Sequence, residues 1–131
     1  MQNRVNVNVL KGLTLTKIDD EGKSLKFYSS DGRTFLMYHK QDCCESVYIE
    51  DIAGNLEDLI GSPILMAEEV EGEIPAGYVC NESCTWTFYK FATIKGYVTI
   101  RWLGESNGYY SESVDFEETT GPLYRKKNNE N

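Results

Sequence analysis

Residues 85–118 read TWTFYKFATIKGYVTIRWLGESNGYYSESVDFEE and hold both tryptophans, Trp86 and Trp102. Val98, Ile100 and Trp102 alternate with Tyr97, Thr99, Arg101 and Leu103. That period of two marks a β-strand with one buried face. Val114 and Phe116 then alternate with Ser111, Ser113, Asp115 and Glu117. The intervening Ser106-Asn107-Gly108 predicts a three-residue hairpin loop with Gly108 in the left-handed position. Such a loop pairs Ile100 with Val114 and Val98 with Phe116, matching apolar to apolar. A two-residue Asn-Gly turn would set Trp102 against Ser113 and Ile100 against Asp115. The stretch therefore predicts three antiparallel strands.

Around this hairpin the chain reads as further sheet. Val5, Val7 and Val9 alternate with asparagines and predict a first strand or arm. Leu13–Lys17, Leu25–Phe27 and Phe35–Met37, separated by turns at Asp20–Gly22 and Asp31-Gly32, predict a β-meander. Val47 and Ile49 begin another strand. Ile52, Leu56, Leu59 and Ile60 have helical spacing, with Asp51 as a cap and Gly61 and Pro63 as the stop. Residues 63–70 predict a returning strand, and 71–83 a loop. The fold class is α+β, mainly antiparallel β-sheet with one short helix packed on it. At 131 residues, a single domain over 1–120 and a disordered tail over 121–131 follow.

Charge narrows the partners. Thirteen basic against 21 acidic residues give a net charge of −8. This disfavours direct binding to nucleic acid or an anionic membrane. No apolar run is long enough to span a bilayer, and the N-terminus has no signal-like apolar stretch. The expected location is the cytoplasm, with reduced cysteines and with homo-oligomerisation open. No Lys or Arg occurs from Gln41 to Tyr89. Glu57, Asp58, Glu68, Glu69, Glu71 and Glu73 in that span are candidates for contact with a basic partner protein.

The densest unusual chemistry lies at residues 38–45 and 97–113. Tyr38, His39, Asp42, Glu45, Trp86, Tyr97, Arg101, Trp102, Asn107, Tyr109, Tyr110, Ser111 and Ser113 mix aromatic plates with hydroxyls, carboxylates and a guanidinium. Such a set suits a small polar or nucleotide-like ligand, with Arg101 on a phosphate. A solvated sheet face explains much of it equally. His39, Cys43, Cys80 and Cys84 could form a Cys3His metal set, although HxxxC and CxxxC are looser than common zinc spacings. A cysteine nucleophile beside His39 and small cysteines in a turn or core are the competing readings. GxSxG, HExxH, P-loop and GxGxxG motifs are absent, so no catalytic residue and no cofactor are assigned.

Two blocks carry a resemblance. YHKQDCCESVYIEDIAGNLEDLIGSPILMAEEV (38–70) and TWTFYKFATIKGYVTIRWLGESNGYYSESVDF (85–116) cover about half of the chain. They resemble a family of small uncharacterised proteins of bacteriophages and prophages, a domain of unknown function. The resemblance implies a phage setting and no particular reaction. It gives the Cys80–Cys84 loop no support as a metal site. An accessory protein that counters a host defence system fits that setting, by sequestering a nucleotide-like signal. An acidic inhibitor or nucleic-acid mimic, and an enzyme degrading a signalling nucleotide, are the alternatives.

Overall fold

The structure is a computed structural model, and it describes residues 4–72, 77–80 and 82–119. Glu73 and the 121–131 tail lie outside the described residues. Among the described residues, eight strands form two four-stranded antiparallel sheets. The first sheet contains β1 (Leu15–Asp20), β2 (Ser24–Ser29), β3 (Thr34–Tyr38) and β8 (Asp115–Glu118), in that order. The second contains β4 (Ser46–Ala53), β7 (Gly96–Ser106), β6 (Ser83–Thr93) and β5 (Met66–Glu71), in that order.

The predicted meander is present as β1–β3. Alternation places Leu25, Phe27, Phe35 and Met37 in the core, each with no exposed surface. From the other sheet come Tyr89, Phe91, Val98, Ile100 and Trp102, all buried. The Trp102 Nε1 donates to Met37 Sδ at 3.3 Å, and the Phe27 and Phe91 rings lie 6.1 Å apart. These contacts join the sheets across one core. Burying such side chains stabilises the fold by about 1.5–3 kcal/mol each.

Three local expectations are corrected. First, β8 does not pair with β7. Both edges of β7 are already taken, by β4 and β6, so β8 crosses to pair with β3. Met37 then faces Phe116, and Tyr38 faces Asp115. Gly108 does take the left-handed conformation (φ 94°), but its turn opens a crossing between sheets. Second, among the described residues the valine-rich segment touches β8 as an arm, through an isolated bridge at Arg4 and the Val5 amide, and does not extend into a strand. Val7–Leu10 is a 3-10 turn, because the Asn6 side chain accepts from the Asn8 amide and closes the backbone locally. Third, Asp51 lies within β4 and caps nothing. The short helix is one 3-10 turn, Leu56–Leu59, capped by the Asn55 side chain on the Glu57 amide. The molecule is thus mainly antiparallel sheet, with helical structure only as 3-10 turns among the described residues. No helix among them is long and apolar enough to cross a membrane.

Candidate functional site

Five element ends meet at one end of the sandwich: the last residues of β3 and β7 and the first of β4, β6 and β8. Two loops, 39–45 and 107–114, join them. Each is folded around a buried carboxylate. Glu45 has no exposed side-chain surface. Its Oε2 accepts from His39 Nε2 and from the Asp42 amide, both at 2.7 Å, and its Oε1 accepts from the Cys43 amide at 2.9 Å. The hydrogen bond from His39, helped by those amides, outweighs burial and holds the Glu45 carboxyl down at about 2. His39 also faces the Ser113 carbonyl through Nδ1, at 2.7 Å. Both ring nitrogens therefore meet oxygen atoms of the two loops. This imidazole ties the first loop to the second.

Glu112 organises the second loop. It accepts from Thr85 Oγ1 at 2.7 Å and from Ser106 Oγ. Burial pushes its carboxyl up, but the hydroxyls of Ser106, Thr85 and Ser83 prevail and lower it overall. Gly104 lets this loop lie across β7. A Cβ there would stand 2.5 Å from the Glu112 carbonyl oxygen.

Two clefts open beside these loops. One, of about 250 Å³, is lined by His39, Lys40, Gln41 and Asp42 on one side. Ser111, Ser113, Asp115 and Arg4 line the other. Arg4 forms an ion pair with the buried Asp115, and the two serine hydroxyls hydrogen-bond at 2.7 Å. The second cleft, of about 370 Å³, has Cys44, Ser46, Glu82 and Ser83 facing Glu105, Ser106, Asn107 and Tyr110. Tyr78 donates to Glu105 at 2.8 Å, and that bond, with burial, pushes its phenol up to about 12.

His39, Asp42, Glu45, Asn107, Tyr110, Ser111 and Ser113 are thus brought together. Tyr109 sits at the loop tip, 81% exposed, edge-on to Tyr110 at 4.9 Å. Tyr38 flanks the group. It donates to Glu117 at 3.2 Å, and its phenol rises to about 12 through burial and that carboxylate. The other expected ligand residues are elsewhere. Trp102 is a core residue, 1% exposed, because inward alternation on β7 takes it between the sheets. Trp86 is buried on the outer face of the second sheet, edge-on to Tyr78 at 5.0 Å. Arg101 stacks over Trp86 and donates to Glu50 at 2.6 Å, so its charge is already answered. Tyr97 stands at the far end of β7, beside the β6–β7 turn.

The cysteines are paired, Cys43 with Cys44 and Cys80 with Cys84, against the expectation of free thiols. Pairing within each loop also takes apart the Cys3His set. No cluster of three metal-binding side chains occurs among the described residues. Arg4 has no signal in the sequence that places it here. Arg4 and Asp115 are 111 positions apart, and only the pairing of the N-terminal segment with β8 unites them.

The described acidic candidates do not form one surface. Glu57 and Asp58 lie on the 3-10 turn at the opposite end. On β5, Glu68 faces Lys90 in register while Glu69 faces Tyr89, so they point to opposite faces of the sheet. Burial and the neighbouring Glu71 push the Glu69 carboxyl up.

Residues 8–116 match the model of a protein family described as a domain of unknown function, DUF7448. The chain belongs to that family. Neither a curated protein nor a solved structure matches it.

Proposed function

We propose that the chain is an accessory binding protein that sequesters a small polar ligand bearing an anionic group, with a nucleotide-like signal as the favoured class. One observation carries this reading. In a protein of net charge −8, the smaller loop-end cleft sets Lys40, the His39 ring and paired serine hydroxyls beside Arg4, whose partner Asp115 lines the cleft together with Asp42. Cations and hydroxyl donors converging on a concave surface suit a phosphate or carboxylate. Tyr109 and Tyr110, at the tip of the adjoining loop, offer ring faces to a base. The phage setting implied by the resemblance makes removal of a host defence signal the natural use of such capture. Mimicry of nucleic acid is less favoured, because the acidic residues are divided between ends and faces of the molecule.

The test compares wild type with Lys40→Glu, both purified from cells with an active nucleotide-based defence. Heat-denatured protein is removed, and the supernatant is resolved by anion exchange. The reading expects an intact small anion from wild type, near one per chain, and little from Lys40→Glu. An empty wild-type supernatant, or equal release from both proteins, contradicts it.

A further inference from the structure

Loop 39–45 contains one chemical feature that ligand capture leaves unused. Cys43 and Cys44 are bonded to each other, and both residues are exposed. The Cys80–Cys84 bond lies at the same end of the second sheet. There Glu105 of β7 pairs with Cys84 on one side and with Ser46, two residues after Cys44, on the other. The bonds span sequence separations of 1 and 4. Loops this short remove little conformational freedom from the unfolded chain, so neither bond is needed to hold the fold.

We propose that Cys43–Cys44 is a thiol–disulfide exchange site, and that its state sets the wall between the two clefts. The co-reactant is a dithiol, either a small molecule or a dithiol protein. A thiolate of the dithiol attacks one exposed Sγ and forms a mixed disulfide. The other cysteine leaves as a thiolate and takes a proton. The second thiol of the reagent then attacks the mixed disulfide. It frees the remaining cysteine as a thiol and closes the reagent into its own disulfide. Two electrons and two protons pass to the protein.

The position of the pair couples this chemistry to both clefts. Asp42 lines one cleft and Cys44 the other. The Asp42 and Cys43 amides are held on Glu45, which anchors the loop in either state. Freedom gained on reduction is therefore confined to the Cys43–Cys44 link and the cleft walls beside it. Glu82 and Glu105 share the cleft with Cys44, so anionic thiols are repelled and neutral dithiols react faster. This proposal stands apart from ligand capture and is tested without a ligand.

The experiment uses the full chain and the Cys80→Ser/Cys84→Ser variant. Each is incubated with oxidised or reduced dithiothreitol, quenched in acid, alkylated and mapped by peptide mass. Both proteins should carry no label at Cys43 and Cys44 after oxidation and one on each after reduction, reversibly. Amide NMR signals of Asp42, Cys44, Asn107 and Tyr110 should shift between the states, while those of Val98 and Ile100 stay fixed. Full labelling of Cys43 and Cys44 after oxidation would overturn the exchange site. Identical loop signals in the two states would overturn its control of the clefts.

Discussion

Gly104→Ala tests whether the 107–114 loop is packed across β7 as described. Gly104 is not in the left-handed region, so alanine adds no backbone strain and the effect is steric. The new Cβ would meet the Glu112 carbonyl oxygen at 2.5 Å, the Glu112 Cβ at 2.8 Å and the carbonyl carbon at 3.2 Å. Two of those atoms are backbone and cannot rotate away. Moving the segment aside would loosen the hydroxyl bonds from Thr85 and Ser106 to the Glu112 carboxylate. Overpacking of this kind costs about 1–3 kcal/mol. That corresponds to about a 5- to 150-fold loss in the folded-to-unfolded ratio. For a chain of this size, the melting temperature should fall by roughly 4–12 °C. Urea unfolding followed by tryptophan fluorescence gives the direct reading, because Trp102 is buried. The midpoint should fall with an unchanged slope. Stability within about 0.5 kcal/mol of wild type would refute the close crossing of loop and strand.

Other outcomes follow from the same geometry. The Glu45 carboxyl is lowered from 4.5 to about 2, so its contribution is present above 4.5 and lost as pH falls towards 2. Glu45→Gln should flatten part of the acid side of a urea-midpoint-against-pH profile, and an unaltered profile would count against the clamp. Met37→Ala removes a core side chain and the acceptor of the Trp102 N–H, and should cost about 2–5 kcal/mol in denaturant unfolding. Arg101→Ala should cost no more than about 1 kcal/mol and leave any co-purifying ligand in place, since its partner is the solvent-accessible Glu50. Loss of ligand in that variant would restore Arg101 to the site. Asn55→Ala should cost about 1 kcal/mol through loss of the 3-10 cap, and Asp51→Ala should leave that turn intact.

The meander was legible because alternation and Asp31-Gly32 are local signals, and β1–β3 need only their neighbours. The inward face of Val98, Ile100 and Trp102 was legible for the same reason. The partner of β8 was not. Val114 and Phe116 satisfy period two against either sheet, and the choice depends on β4 having claimed the edge of β7. At the N-terminus, the valine alternation was real, but asparagine side chains compete for backbone amides over so short a stretch. In the site, the density of polar groups at 38–45 marked the right loop. The cation at Arg4 had no such local signal, because only tertiary placement brings it beside Asp115, Ser111 and Ser113. Arg101 looked available only while its partner Glu50, 51 positions away, was unseen.

Ligand capture at the loop-end cleft is tested most directly by native mass spectrometry of the protein purified from a host with active defence systems, set against its denatured mass. The reading predicts an added mass of a nucleotide-sized molecule that disappears on denaturation and is weakened by Lys40→Glu. A native mass equal to that of the bare chain would contradict it.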